Sequence, residues 1–328
     1  MMLFLRCLLQ HPARLMCAAL LSVSAGFAQA ADTNVSALEM VVLGSGGPGA
    51  TGRAGAGYAL LLDGKPRILV DAGPGTFVRM GEAKLDIRGL DIVLLTHLHV
   101  DHVGELPGII KARAVSSRTD IHFQVFGPGG SNADTDDDGK PAAHFPSTRH
   151  YIDLLFGSDG AFSYLQDFAG TVKFDTTDLF VSRAMDGDNA TPQVILSQDG
   201  LVISAVKGHH RDAPSVIYRV DYKGKSITFS GDIDAHAHAA LSRIAQGSEL
   251  LVFNAVVLDP PNSPPILYTL HTSPSDIGKI AGAAKVSSLL LSHLSPTIDE
   301  ARNAVTLSIR QHYQGDLKFA VDGMKFRL

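Results

Sequence analysis

The segment THLHVDH, residues 96–102, places three histidines and one aspartate within six positions. It follows an apolar run at 91–95 that is typical of a buried strand, so the chain leaves a sheet and at once presents these side chains. Alternation along an extended chain would put His97, His99 and Asp101 on one side. Imidazole nitrogen suits Zn²⁺, and a neighbouring carboxylate suits a second cation. The pattern therefore predicts a metal site rather than a polar loop with unrelated histidines.

Four side chains cannot complete two metal sites, so further ligands must come from elsewhere in the chain. The candidates each follow a predicted strand: the adjacent His209 and His210, Asp232 within Ser-Gly-Asp, and His293. Each alone could be a capping aspartate or a hydrogen-bonded core histidine, but functional side chains gather at strand ends in open sheets, which favours ligands. Three polar residues after Asp232 fit either substrate contacts or an exposed turn: Asp234, His236 and His238.

The elements that position these residues are predicted from short apolar runs bounded by Gly, Pro and Asp. The predicted strands are 40–43, 58–62, 67–70, 91–95, 121–126, 201–206, 215–221, 226–230, 250–258, 288–291 and 317–321, and the predicted helices are 107–115, 273–284 and 298–312. Strands precede helices in each half, which favours two packed sheets with helices outside. The segment at about 128–198 lacks clear periodicity, and we expect it to be an insertion that caps one end of the sandwich.

Residues 1–30 have the pattern of a signal peptide. Arg6 and Arg14 precede an apolar stretch, and residues 1–30 contain no acidic residue. The segment ends in Ala-Gln-Ala at 28–30. The apolar run is shorter than the roughly 20 residues that a membrane-spanning helix needs. The prediction is a cleaved leader, a single domain over 31–328, no membrane attachment after cleavage, and a periplasmic or secreted location.

Loss of this leader changes the composition in two ways. The formal net charge falls from −5 to −7, because two bases and no acids are removed. An acidic balance argues against a nucleic-acid partner, which needs clustered Lys and Arg. Both cysteines, Cys7 and Cys17, are lost as well. The remaining chain has no thiolate metal ligand, no thiol nucleophile and no disulfide.

Two other motifs have a structural interpretation. The run GSGGPG at 44–49 spells GxGxxG after a strand, but no helix is predicted to begin there. A tight loop near the metals is expected instead of a nucleotide site. The acidic run at 134–139 matches half of a calcium-binding loop, yet Phe145 stands where the last ligand, a glutamate, belongs. This mismatch favours a solvated loop.

As a set, the motifs resemble those of the metallo-β-lactamase superfamily: HxHxDH, a later histidine, Ser-Gly-Asp and a late apolar strand that ends in histidine. Further segments resemble its ribonuclease Z and arylsulfatase-like branch: GSGG at 44–47, DAGPG at 71–75, HVGELPG at 102–108, GPG at 127–129, Tyr218-Arg219 and His271-Thr272. The match covers about 40–130 and 200–328. It implies an α/β fold, a four-layer αββα sandwich with an inserted cap segment.

The resemblance also implies two zinc ions and their ligands. The first set is His97, His99 and a middle histidine, for which His210 is preferred and His209 is the alternate. The second set is Asp101, His102 and His293, with Asp232 bridging both ions. Zinc β-lactamases that hold their second ion through cysteine are excluded as a template by the absence of cysteine.

Three residues would have roles beyond simple ligation. Asp71 would buttress the ligand loop, Asp101 would orient the attacking hydroxide as well as bind metal, and His271 would assist proton transfer to the leaving group. Paired Zn²⁺ ions would lower the pKa of a bridging water from 15.7 to about 7. The chain would thereby have hydroxide available at neutral pH.

We therefore expect an exported zinc-dependent hydrolase that acts through a metal-bridging hydroxide on a small-molecule sulfate or phosphate ester, in the manner of an arylsulfatase or phosphodiesterase. Export and acidity argue against tRNA processing and any nucleic-acid partner. A lactonase or other carboxylic-ester hydrolase is the alternative, since the same hydroxide attacks carbonyl carbon. A non-catalytic metal-binding protein is the second alternative. The assembly is left open between a monomer and a homodimer.

Overall fold

The computed structural model of the protein describes residues 36–49, 51–131, 143–168, 170–180, 190–211 and 213–328. The predicted leader at 1–30 and the acidic run at 134–139 lie outside the described residues, and both stay predictions. Over the ranges that are described, no helix has the length and apolar character needed to cross a membrane.

The described strands follow the apolar runs of the sequence closely. They are β1 (Leu38–Gly44), β2 (Gly57–Leu62), β3 (Lys65–Val70), β4 (Ile92–Leu94), β5 (Ile121–Pro128), β6 (Val172–Leu179), β7 (Gln193–Gln198), β8 (Leu201–Lys207), β9 (Val216–Tyr222), β10 (Lys225–Phe229), β11 (Leu250–Asn254), β12 (Ser288–Ser292), β13 (Asp316–Phe319) and β14 (Lys325–Arg327). One sheet has the order β14-β1-β2-β3-β4-β5-β6, and the other has the order β13-β12-β11-β10-β9-β8-β7. Both are mixed: pairing is antiparallel at one end and becomes parallel from β3 to β6 and from β10 to β13.

The two sheets pack face to face through a continuous apolar core. Leu60 and Ile68 of the first sheet and Tyr218 and Phe229 of the second are buried in it. The ring centroids of Tyr58 and Phe229 lie 5.2 Å apart across this layer. Full burial of side chains of this size stabilises a fold by about 1.5–3 kcal/mol each, so this layer holds the two halves of the chain together.

Helices cover both outer faces. They are α1 (Thr76–Glu82), α2 (Val100–Val103), α3 (Leu106–Ser117), α4 (Thr148–Phe156), α5 (His238–Ile244), α6 (Pro274–Ala283), α7 (Pro296–Glu300) and α8 (Arg302–Arg310). Apolar residues of α1, α3 and α4 pack on the first sheet, and those of α5, α6 and α8 pack on the second. The predicted αββα sandwich is therefore confirmed.

Serine caps explain where several helices begin. Ser147, Ser273 and Ser295 each precede a helix, and each hydroxyl accepts a hydrogen bond from the backbone N–H three residues later. Such caps satisfy donors that the first helical turn leaves unpaired. The predicted helix at 298–312 is instead two helices, α7 and α8, which meet at Ala301.

The described parts of the weakly periodic segment 128–198 contribute to the sandwich itself. They form α4 and the edge strands β6 and β7. Exposed and buried positions are mixed along β6, as expected of an edge strand that pairs with one neighbouring strand, β5. Residues 143–147 run towards the histidine cluster, and the Phe145 ring lies 5.6 Å from that of His99.

Candidate metal centre

The HxHxDH segment spans the junction between a strand and a helix. His97 and His99 lie in the extended stretch after β4, and His99 is the residue that precedes α2. Asp101 and His102 lie in the first turn of α2. The alternation expected of an extended chain thus ends at His99. The turn brings the His102 ring back towards His97, with the two ring centroids 4.0 Å apart.

The distant candidates arrive on loops at the ends of strands of the second sheet. His210 follows β8, Asp232 follows β10, and His293 follows β12. His271 comes from the loop before α6. His293 has a φ of 54°, in the left-handed region, which is sparsely populated for residues other than glycine and is often used at functional sites.

The carboxylate of Asp232 lies at the centre of this cluster. Its Oδ2 atom is 3.6 Å from Nε2 of His293, 3.8 Å from Nε2 of both His102 and His210, 3.9 Å from Nδ1 of His271 and 4.0 Å from Nε2 of His97. Five imidazoles therefore converge on one buried oxygen. None of these separations is a hydrogen bond, because all exceed the length at which such a bond forms.

Two sets of potential ligands share this aspartate. The first set is His97, His99 and His210, and the second is Asp101, His102 and His293; within each set the donor atoms lie within 4.8 Å of one another. Zn–N and Zn–O bonds of 2.0–2.2 Å place the ligands of a tetrahedral ion about 3.3–3.6 Å apart. The separations around Asp232 are close to this value. The donor set, nitrogen with a few carboxylates, is the one that Zn²⁺ prefers.

Buried ring nitrogens without hydrogen-bond partners also fit a metal. Among the described residues, Nε2 of His102 and Nδ1 of His271 face Asp232 and have no hydrogen-bond partner. An unsatisfied buried polar atom costs about 1–3 kcal/mol. The Nε2 atom of His102 lies 3.8 Å from Oδ2 of both Asp101 and Asp232. A cation between these three atoms would satisfy all of them.

The electrostatics of the cluster suit cation binding. Burial lowers the pKa of His97 well below its usual value, and burial likewise lowers the pKa of His210. Both rings are therefore neutral at physiological pH, as metal ligands must be. Burial acts to raise the pKa of Asp232, but the surrounding histidines outweigh it and hold that pKa well below its usual range.

Asp71 orients the His102 ring from behind. Its Oδ1 accepts from the Thr96 backbone N–H at 2.8 Å, and its Oδ2 accepts from the Thr96 hydroxyl at 2.8 Å. Oδ2 also lies 2.8 Å from Nδ1 of His102, which leaves Nε2 facing Asp101 and Asp232. Burial works to lower the pKa of His102, but the carboxylates, Asp71 first, raise it to about 9, so a cation that binds Nε2 would displace a proton from this ring.

The structure separates the two adjacent histidines that spacing alone left open. Nδ1 of His210 lies 2.7 Å from the carbonyl oxygen of Leu270, to which it donates, so its Nε2 faces Asp232. Nδ1 of His209 lies instead 2.8 Å from Oδ2 of Asp234. His210 therefore lies in the central cluster with His97 and His99, and His209 lies beside it in a different group.

Sequence reasoning missed two residues that shape the centre. Asn254 ends β11, and its Nδ2 donates to Oδ1 of Asp232 at 2.7 Å. The predicted strand over 250–258 continued past Asn254, whereas β11 ends at it, so no strand end marked this residue in the sequence. Gly47 lies against His293, since a Cβ atom there would be 2.9 Å from Cε1 of that ring. The glycine-rich loop thus lies beside the cluster.

Comparison with known proteins identifies the family. The family model described as beta-lactamase superfamily domain matches residues 66–294. The chain belongs to the metallo-β-lactamase superfamily. As a member with an intact His/Asp centre, it is a metal-dependent hydrolase, and zinc is the metal that this fold typically binds.

Curated and solved proteins extend the comparison. Ribonuclease Z of Mycobacterium sp. (strain KMS) is 28% identical over 274 residues, which cover 81% of this chain and 87% of that protein. Human tRNase Z, short form, has a TM-score of 0.64 at 20% identity and covers 88% of this chain and 98% of its own. Zn²⁺-bound PqqB from Methylobacterium extorquens has a TM-score of 0.56 at 15% identity, over 88% of this chain and all of its own. The two structural likenesses concern the fold.

These relatives correct the functional expectation. The expected hydrolase of small-molecule sulfate or phosphate esters, with its lactonase and non-catalytic alternatives, is wrong, because the relatives are ribonucleases. Export to a periplasmic or secreted location stays a prediction. The expectation of a small-molecule ester substrate and no nucleic-acid partner is wrong for the same reason. The expectation of no nucleic-acid partner relied on the net charge of the whole chain, which does not report the electrostatic potential at one cleft. An arylsulfatase-like activity is not supported by these relatives.

Proposed function

We propose that this protein is a zinc-dependent phosphodiesterase that hydrolyses RNA. The observation that carries the proposal is the alignment to ribonuclease Z over 81% of this chain. The family match over residues 66–294 spans the histidine cluster from His97 to His293. The cluster supports it chemically, since paired cations can clamp the attacking and leaving oxygens of an in-line displacement at phosphorus.

The proposed centre holds two Zn²⁺ ions. His97, His99 and His210 would bind one ion, Asp101, His102 and His293 would bind the other, and Asp232 would contribute to both. When bound, such ions lower the pKa of a coordinated water and polarise the phosphoryl oxygens of a substrate. The remaining chemistry belongs to side chains of the chain itself.

Asp101 is suited to orient a nucleophilic water. Its side chain is 14% exposed, whereas that of Asp232 is 4% exposed, so Asp101 is the more accessible carboxylate. Burial works to raise the pKa of Asp101, but its contact with His293, 3.1 Å from Oδ2, leaves that pKa below its usual value. The carboxylate is thus ionised and can accept a hydrogen bond from water.

His271 is suited to pass a proton to the leaving oxygen. Burial lowers its pKa to about 4, so the ring enters the reaction neutral. An anionic phosphodiester beside the ring would raise that pKa, because a nearby negative charge favours the protonated form. His271 would then hold a proton near Nδ1, the buried atom that has no partner among the described residues, and release it to the departing ribose oxygen.

The test uses zinc-loaded full-length protein and three labelled substrates of equal length: a precursor tRNA with a 3′ extension, an unstructured RNA, and the DNA form of the latter. We expect cleavage of RNA, loss of cleavage on chelation, and recovery on addition of Zn²⁺. His97→Ala should abolish cleavage, and His122→Ala, an exposed histidine on β5, should not. Intact RNA in the presence of protein with measured bound zinc would overturn the proposal.

A further inference from the structure

Three side chains that the proposed centre does not use lie together beside it: His209, Asp234 and His236. Nδ1 of His209 is 2.8 Å from Oδ2 of Asp234, and Nδ1 of His236 is 3.2 Å from Oδ1 of the same carboxylate. The potential donor atoms of all three lie within 4.8 Å of one another. We propose that these residues form a further metal site, the flanking site, which binds one Zn²⁺ ion separately from the central cluster.

The donor chemistry fits zinc. Two imidazoles and one carboxylate are a common protein ligand set for Zn²⁺, with a fourth position left for water or another ligand. The ring centroids of His209 and His236 are 4.5 Å apart, so both rings face the same space near the carboxylate. The bond lengths of 2.0–2.2 Å that zinc prefers would be reached by small rotations of side chains already in place.

The site has both a fixed base and an open side. The side chain of Asp234 is 3% exposed, that of His209 is 14% exposed, and that of His236 is 57% exposed. The backbone N–H of Asp234 donates to the carbonyl oxygen of His209 at 2.9 Å, which fixes the two loops against each other. An ion could therefore enter from solvent past His236 without any movement of the core.

A purely structural role for Asp234 is the competing explanation. Its Oδ1 accepts from the backbone N–H of His236 at 2.9 Å and so caps the 3₁₀ turn at Ala235–Ala237. Such a cap requires one carboxylate oxygen and no imidazole. Here both oxygens face ring nitrogens, and the largely exposed His236 ring folds back onto the carboxylate instead of extending into water. These contacts are imidazole–carboxylate hydrogen bonds that the cap does not require, and they hold all three potential ligands close enough for one ion to bind between them.

The flanking site would tie together two loops of the central cluster. His209 directly precedes His210, and Asp234 comes two residues after Asp232. An ion bound by His209 and Asp234 would restrain both loops in the folded protein. Because a ligand that binds only the folded state stabilises it, excess zinc should raise the melting temperature through this site.

Metal stoichiometry tests the inference directly. Protein stripped by chelation is titrated with Zn²⁺, separated by gel filtration and analysed for bound metal. The expected result is that His236→Ala binds one zinc fewer per chain than the wild type. His238→Gln is the control, since His238 begins α5 directly after the same turn but its Nε2 lies 3.0 Å from the hydroxyl of Thr272. It should bind as much zinc as the wild type.

The test depends on the difference in bound zinc between the wild type and the variant, and not on the total zinc content of either protein. Equal zinc content in the wild type and His236→Ala would overturn the flanking site, whatever the content of the central cluster. Fewer than two bound ions in His236→Ala would count against the proposed dinuclear centre. The flanking site would still be tested by the difference in zinc content between the wild type and His236→Ala. Asp234→Asn, which retains the cap through its amide oxygen, should also lose one ion.

Thermal unfolding provides a readout that does not depend on separation. Addition of Zn²⁺ beyond the equivalents held by the central cluster should raise the melting temperature of the wild type and of His238→Gln, but not that of His236→Ala. A rise of the same size in His236→Ala would contradict the inference.

Discussion

Oδ2 of Asp71 lies 2.8 Å from Nδ1 of His102, and both side chains are buried. The two residues are 31 positions apart in the chain and meet because β3 and β4 are parallel neighbours. The contact directs Nε2 of His102 towards Asp101 and Asp232. Carboxylates in this position fix the tautomer of a ligating histidine and increase its basicity.

Asp71→Asn should therefore weaken the proposed second zinc site without unfolding the protein. Asp71 has a φ of 56°, and asparagine tolerates this left-handed conformation nearly as well as aspartate. We expect zinc affinity at that site to fall about 10- to 100-fold, the usual cost of losing such a partner. Competition with a chelator measures the affinity, and Asp91→Asn, a surface aspartate paired with Arg67, is the control. Unchanged affinity in Asp71→Asn would refute this role.

Gly47→Ala should displace His293. The added Cβ would lie 2.9 Å from Cε1 of that ring, closer than a Cβ atom approaches other atoms in proteins, and 3.1 Å from its Nδ1. The expected result is loss of one bound zinc in a chelating buffer, with loss of hydrolysis. Gly81→Ala is the matched control: it lies in α1 with nothing within 4 Å of the new Cβ. Gly81→Ala should stabilise the helix by about 0.5–1 kcal/mol. Full zinc content in Gly47→Ala would contradict the steric argument.

Asn254→Ala should destabilise the protein even without metal. The change removes the amide that donates to Oδ1 of Asp232 at 2.7 Å and leaves a buried carboxylate oxygen without this donor. A loss of this kind costs about 1–3 kcal/mol. Urea unfolding of metal-free protein measures it. The control is Asn303→Ala, on the exposed face of α8, which should change stability by no more than about 0.5 kcal/mol. An equally small effect of Asn254→Ala would count against a stabilising role for the hydrogen bond to Asp232.

The sequence predicted the sandwich and the strand ends because both depend on local patterns. Buried strands in the interior of each sheet are continuous apolar runs, and β1, β8 and β12 lie within a few residues of their predicted bounds. The edge strand β6 was not predicted, because its exposed and buried positions follow no clear alternation. Edge strands have fewer neighbours to impose a pattern.

Contacts between distant residues account for most of what sequence reasoning missed. His209 and His210 have nearly the same spacing to every motif, and only the partners Asp234 and Leu270, 25 and 60 positions away, distinguish them. Gly47 and His293 are brought together by the parallel bridge between Gly46 and Leu294. Such pairings depend on how the two halves of the chain pack, which no local period encodes.

Two roles are open to His271 within the cluster, proton transfer and metal binding, and substitution of this residue distinguishes them. Its Nδ1 lies 3.9 Å from Oδ2 of Asp232, so geometry permits either role. If it transfers protons, His271→Gln should lower kcat by a factor of about 10²–10⁴ and leave the zinc content and the KM for RNA close to those of the wild type. If it binds metal, the zinc content should fall together with kcat.

The choice of substrate sharpens this test. An RNA in which sulfur replaces the leaving oxygen of the scissile bond releases a thiolate, which needs little protonation as it departs. His271→Gln should therefore cleave this RNA at nearly the rate of the wild type. A metal-ligand role predicts that the variant stays impaired on both substrates, because the centre itself would be incomplete. Rescue by the better leaving group, with full zinc content, is the outcome we expect. Loss of zinc from His271→Gln would assign His271 to the metal centre instead.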